Sequence, residues 1–148
     1  MLEKAIITEV RASVDESVYR VEGVDAAALF ETLAATAVNV DTIVQTSNEI
    51  LFSAPRAADG VTVRALDELE ASWSADRELG QVHVMGAGMR SHPAVTATAL
   101  ATLAKAGIEP VMVITSPIKI TAHVPLGDVD RAVHALHVAF DLPREDGT

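Results

Sequence analysis

The sequence contains no cysteine, which removes disulfides, thiolate zinc sites and thiol nucleophiles from its chemistry. Aromatic side chains make up only 3% of the 148 residues, and Lys and Arg total 11 against 21 Asp and Glu. The formal charge of −10 and pI near 4.8, with no basic cluster, argue against nucleic acid or an anionic membrane as partner. Phosphate binding needs grouped cations. No apolar run is long enough to span a bilayer. Met1-Leu2-Glu3-Lys4 leads into a short alternating segment, not the apolar stretch of a cleavable signal. A cytoplasmic location is the expectation.

What is present describes a folded chain: 49% hydrophobic and 22% charged residues, a globular balance. Alanine and valine dominate, and small apolar side chains suit thin layers in which helices lie close on a sheet. The length allows one ordinary domain or two very small ones. A repeat favours two, because Thr32-Leu33-Ala34-Ala35-Thr36-Ala37-Val38 matches Thr102-Leu103-Ala104-Lys105-Ala106-Gly107-Ile108 at a shift of 70 residues. That period is well above solenoid repeats and indicates a duplicated domain.

Within the second copy, Gly86 to Val95 reads GAGMRSHPAV. A strand that stops at glycines and enters a helix with Pro93 in its first turn can aim backbone N–H groups at a small anion, although a plain strand-to-helix turn has the same pattern.

In order, Ala5 to Ala12 and Val18 to Val24 read as strands around a polar turn at Ser13 to Ser17. Asp25 can cap a helix with Ala26, Phe30, Leu33, Ala34 and Ala37 on one face. Asn39 to Phe52 reads as two strands turning at Ser47-Asn48. Pro55 to Gly60 is a loop, Val63, Leu66 and Leu69 outline a helix to about Ala71, and Trp73 opens another strand. The second copy has a strand at Gln81 to Gly86, a helix at Pro93 to Ala106, and strands at Val111 to Thr115 and Ile118 to His123. Its last helix, Val129 to Phe140, follows Asp128 as cap and carries Val129, Val133, Leu136 and Phe140 on one face.

Strand, helix, strand, strand, helix, strand is the ferredoxin-like order, an antiparallel sheet with helices on one face. The expected fold is therefore α+β, with two such modules. The second copy is one strand short, so the N-terminal strand is expected to cross over and complete it, covering an open edge. The expected division is residues 13–78 for the first module, 79–142 with strand 4–12 for the second, and a frayed tail at 143–148.

Three stretches carry a family resemblance: Asn39-Val40-Asp41-Thr42-Ile43-Val44-Gln45, Gly86-Ala87-Gly88-Met89-Arg90-Ser91-His92-Pro93, and Ala132 to Phe140. Together they resemble the regulatory region of aspartokinases, a tandem pair of ACT domains that sense amino-acid end products. The aspartokinase catalytic domain has no counterpart in the sequence. The resemblance implies a non-catalytic regulatory subunit or an excised regulatory region. It further implies a homodimer through ACT pairing, an aspartokinase catalytic subunit as partner, threonine or lysine as effector, and no cofactor. A stand-alone ACT-type sensor without a kinase partner is the alternative.

The resemblance places effector contacts at Asn39, Asp41, Ile43 and Gln45 in the first module. In the second it places them at Met89, Ser91, His92, Pro93 and Val95 on the loop into the helix, and at Thr115, Ser116 and Ile118 on the strand pair. Gln45 and Asn39 would be polar contacts, and backbone N–H groups near His92 to Val95 carboxylate donors. Three departures imply an altered or lost response to threonine and lysine. Val21-Glu22-Gly23-Val24-Asp25 replaces the family's Asp-x-Pro-Gly loop, Thr46 to Glu49 is shorter than the usual turn, and Glu109-Pro110 replaces an Asn-Ile pair, with Pro110 lacking an N–H. His134 and His137, three apart, read as exposed helix histidines rather than metal ligands, and His92 lacks the partners of a catalytic cluster.

Overall fold

The computed structural model describes residues 6–89 and 92–142. The expected tail at 143–148, the first residues of the expected N-terminal strand, and Ser91 lie outside them. The chain divides into two compact units, residues 15–79 and residues 1–14 with 80–148.

The first unit runs β2 (Glu16–Glu22), α1 (Ala26–Ala35), β3 (Thr42–Gln45), β4 (Ile50–Pro55), α2 (Asp59–Glu68) and β5 (Ser72–Asp76). Its sheet has the order β3-β4-β2-β5, with antiparallel pairing throughout. The second unit takes β1 (Ile7–Ser13) from the start of the chain and adds β6 (Leu79–Gly86), α3 (Ala94–Lys105), β7 (Met112–Ser116), β8 (Lys119–Pro125) and α4 (Val129–Ala139). Its order is β1-β6-β8-β7, the same topology with β1 as the fourth strand. The crossover is antiparallel, with Val10 opposite Val84 and Ser13 opposite Gln81. The approach is close at Gly86, where an added Cβ would lie 2.2 Å from the Ile6 carbonyl oxygen.

The repeated seven residues are the last turn and cap of a helix. In α1 the chain passes through Ala37 at φ 60°, and the Val38 N–H returns to the Leu33 carbonyl at 3.0 Å. In α3 Gly107 has φ 75° and the Ile108 N–H returns to Leu103 at 2.9 Å. This is the Schellman ending, which satisfies carbonyls the helix leaves open and packs one apolar residue beyond the turn onto one within it. Leu33 with Val38, and Leu103 with Ile108, are buried accordingly. Helices α2 and α4 close the same way through Glu70 and Asp141, both at positive φ.

Four of the few aromatic residues serve the first core. Tyr19 stacks on Phe52 at 5.0 Å between ring centroids, Phe30 meets Phe52 edge-on at 6.0 Å, and Trp73 packs at the margin. The Tyr19 hydroxyl donates to Asp59, which also accepts from Arg77 Nε at 2.9 Å. The second core is aliphatic apart from Phe140.

Several local expectations shift. The buried residues of α1 are Leu29 and Leu33, while Ala34 and Ala37 are exposed; the two leucines turn the inward face by about one residue. Asp59 and Gly60 belong to α2, because Arg56–Ala58 already forms a tight helical turn leading into it. Asp25 caps α1 as expected, accepting from the Ala28 N–H at 3.2 Å. Asp128 makes no side-chain cap to α4, its carboxylate being taken by Arg131 at 2.7 Å. His137 is buried rather than exposed, with Nε2 3.0 Å from the Val10 carbonyl oxygen, and so ties α4 to the crossing strand.

The face of the second sheet opposite its aliphatic core carries a polar line missed in the sequence. His83 Nδ1 lies 3.0 Å from Thr121 Oγ1, its Nε2 3.3 Å from Ser13 Oγ, and Gln81 Nε2 lies 3.0 Å from His123 Nε2. Among the described residues no helix is long and apolar enough to cross a membrane.

Candidate functional site

Each unit has a small open pocket between the start of its first helix and the turn of its central hairpin. In the second unit the strand β6 ends at Gly86, and Gly88 turns the chain at φ 67°, a left-handed conformation that a Cβ would oppose. Two backbone bonds then stitch this loop to the β7–β8 turn. The Gly86 N–H donates to Ile118 O at 3.0 Å and the Met89 N–H to Pro117 O at 3.1 Å. Beside the stitched segments lies a cavity of about 340 Å³ lined by Met89, Pro93, Thr96, Thr115, Ser116, Pro117 and Ile120. Among the described residues its lining has no charged side chain and combines hydroxyls with apolar groups.

The first unit repeats the arrangement with other chemistry. A cavity of about 300 Å³ is lined by Val21 to Ala26 at the start of α1 and by Gln45 to Ile50 around the β3–β4 turn. Gln45 and Ile50 face each other across the hairpin as Thr115 and Ile120 do in the second, seventy residues on. The lining here is acidic, with Glu22, Asp25 and Glu49, and Glu49 is paired with Arg20. The short turn closes on itself, the Thr46 hydroxyl accepting from the Asn48 and Glu49 N–H groups at 3.2 Å each.

The expected effector residues divide between these places. Met89, Pro93, Thr115 and Ser116 line the second pocket, and Gln45 lines the first. Asn39 and Asp41 precede β3 rather than lying within it, and both are exposed. Ile43 on β3 and Ile118 at the β7–β8 turn present apolar side chains to solvent, 52% and 60% exposed. Val95 is a core side chain. The Val95 N–H donates to His92 O and the His92 N–H to Met89 O, both at 3.0 Å, so these two expected carboxylate donors are occupied within the turn. Thr96, Pro117 and the acidic rim of the first pocket were not singled out from sequence. Adding the repeat shift to the hairpin positions would have found the second set.

Asp41 has a further neighbour. It bears on Glu16, whose pKa is pushed up to about 7 by burial first, then by the neighbouring Asp41 and by Asp15, with Ser53 opposing. The same Ser53 ties down the start of β3, its carbonyl accepting from the Asp41 N–H at 3.0 Å and its Oγ from the Thr42 N–H at 3.1 Å. Among the described residues no group of three His, Asp or Glu is placed to hold a metal ion.

Two ferredoxin-like modules, each with a pocket where a helix start meets a hairpin turn, define a protein of the ACT class. A family model for the ACT domain matches residues 82–140. The sequence is 31% identical to the aspartokinase of Corynebacterium glutamicum, over 98% of this chain and 38% of that protein. It is 36% identical to the aspartokinase of Mycolicibacterium smegmatis over the same shares. A structure of aspartokinase alpha and beta subunits superposes with a TM-score of 0.80 at 31% identity, covering 92% of this chain and 99% of that one. The ligand-free regulatory subunit of aspartate kinase from Thermus thermophilus gives 0.82 at 24% identity, covering 90% and 98%, a likeness of fold alone. The chain belongs to the aspartokinase family and corresponds to its regulatory, tandem-ACT portion. It spans 38% of the length of the curated relatives it matches.

Proposed function

We propose that this chain is the effector-sensing part of an aspartokinase, binding a free amino acid and passing its presence to a catalytic subunit. The observation that carries the reading is the pair of equivalent pockets, repeated at the same place in both modules of a chain from this family. Each is large enough for an amino acid and too open to hold one alone. The reading therefore includes a homodimer in which modules of two copies pair and close the pockets, with Asn39, Asp41, Ile43 and Gln45 of one module and Met89, Ser91, His92, Pro93, Val95, Thr115, Ser116 and Ile118 of the other contributing. A ligand that binds one paired arrangement better than another shifts the population toward it. In this scheme that shift is what a catalytic subunit would read.

The two linings ask for different groups. The acidic rim of the first pocket suits an ammonium; the hydroxyl and apolar lining of the second suits a small uncharged side chain. Threonine and lysine are the effectors to test first. The unusual Glu22-Gly23-Val24 loop and the short Thr46 to Glu49 turn favour an altered response over a standard one. Calorimetric titration of the purified chain with threonine, lysine, methionine and a wider amino-acid panel, with its mass in solution recorded alongside, decides the matter. Saturable binding by a dimer is expected. Silence across the panel from a stable dimer would leave a structural subunit as the better account.

A further inference from the structure

We propose that Arg20 sets the charge specificity of the first pocket: by compensating Glu49 it allows an acidic rim to accept a ligand that carries a carboxylate. The proposal rests on the effector reading above and deepens it at the same site. The argument begins with the alternation of side chains along β2. Tyr19 and Val21 face the first core, so Arg20 and Glu22 stand together on the other face of the sheet, both exposed. Arg20 is opposite Leu51 of β4. Glu49, two residues before Leu51, is therefore its diagonal neighbour, within reach of a long side chain. The guanidinium makes that reach, Arg20 Nη1 donating to Glu49 Oε1.

Glu49 is also part of the pocket wall, with Glu22 and Asp25. The carboxylate of Asp25 caps α1 by accepting from the Ala28 N–H at 3.2 Å. The hairpin turn on the other side offers little to an anion. Its Thr46 N–H is bonded to Glu49 O at 2.9 Å, and the Asn48 and Glu49 N–H groups to the Thr46 hydroxyl at 3.2 Å each. A free amino acid is a zwitterion: its ammonium suits this rim, while its carboxylate meets like charge.

Arg20 changes that balance from just outside the lining. Three carboxylates and one guanidinium leave two formal negative charges at the rim, and without the guanidinium there are three. A ligand stripped of its carboxylate has net positive charge and gains from the more acidic rim, whereas a zwitterion gains far less. Arg20 thus controls which of the two the pocket prefers. The side chains of the pair are 48% and 25% exposed, so the effect is modest and sensitive to salt.

Calorimetric titration of the full chain tests it, with threonine and lysine compared against threoninamide and lysinamide. At about pH 6 the ammonium groups and the carboxylates of all four probes are ionised. Arg20→Gln should move the ratio of acid to amide affinity toward the amide by about two- to fivefold, the scale of an exposed charge pair. Arg20→Lys keeps the charge and should hold the ratio of the unmodified chain. Glu49→Gln added to Arg20→Gln restores the formal charge of the rim and should bring the ratio back. Added salt should shrink the shift. An equal change for acid and amide in Arg20→Gln, with circular dichroism unaltered, would overturn the proposal, as would a shift that the double variant fails to reverse. The sensor reading fails differently: no saturable binding of any of the four probes to the unmodified chain would remove it, and the role of Arg20 with it.

Discussion

At position 37 the first helix ends on an alanine where the third ends on Gly107, and both backbones are left-handed. The repeat therefore contains its own control. A Cβ in that conformation costs about 1 kcal/mol relative to glycine. Ala37→Gly should raise stability by roughly 0.5–1 kcal/mol and Gly107→Ala should lower it by about 1 kcal/mol or more. The Cβ added at position 107 meets no neighbour within 4 Å, and Ala37 is exposed. Urea midpoints at constant slope would check the pair; equal effects of one sign would contradict the assignment of the repeat to helix endings. Residues of this kind are legible in sequence because the seven-residue match is a local signal. Glu16 was not: the sequence places it in a polar turn, and Asp41, which with burial raises its pKa, arrives twenty-five residues later.

Among the elements, β1 depends most on distant chain. It pairs with β6 and is held from the helix side by the His137 ring on the Val10 carbonyl. His137→Leu keeps an apolar body and removes the bond, and should cost about 1–3 kcal/mol because a buried polar pairing is lost. Exchange should quicken in Ile7 to Ser13 and leave Glu16 to Glu22 unchanged; a uniform loss across both units would contradict a local latch. The order of elements, the topology and the crossing strand were readable from periodicity and from counting strands. Which face a residue takes was less so. Of the expected stripe Leu33 is buried, but Ala34 and Ala37 are exposed and Leu29, outside the stripe, turns inward instead, its larger area dominating the burial. His137 looked solvated because three-residue spacing with His134 says nothing about the strand that passes beneath.

For the molecule as a whole, the informative surfaces are two of the four sheet edges. β3 and β7 end their sheets, and they or their flanks carry Ile43, Val111 and Ile118, each more than half exposed. Apolar residues on unpaired edges invite pairing with another chain unless a charge blocks it. Ile43→Lys or Ile118→Lys is expected to convert the proposed dimer to a monomer in sedimentation equilibrium while leaving the circular dichroism unchanged. A dimer that persists in both variants would place the interface elsewhere. The formal charge of −10 opposes self-association at low ionic strength, so the dimer should tighten as salt screens it.

The chain order of the strands also sets a timetable. Residues 15–79 form a complete sheet that needs nothing made later, so on a ribosome that unit can fold as soon as it emerges. β1 is synthesised before the other strands of both sheets and has to wait for β6, with the whole first module inserted between them. Until β6 emerges, β1 has no sheet to join. A pause in translation after residue 79 would hold the chain with one finished domain and one orphaned edge, the condition most exposed to mispairing with a neighbouring nascent chain.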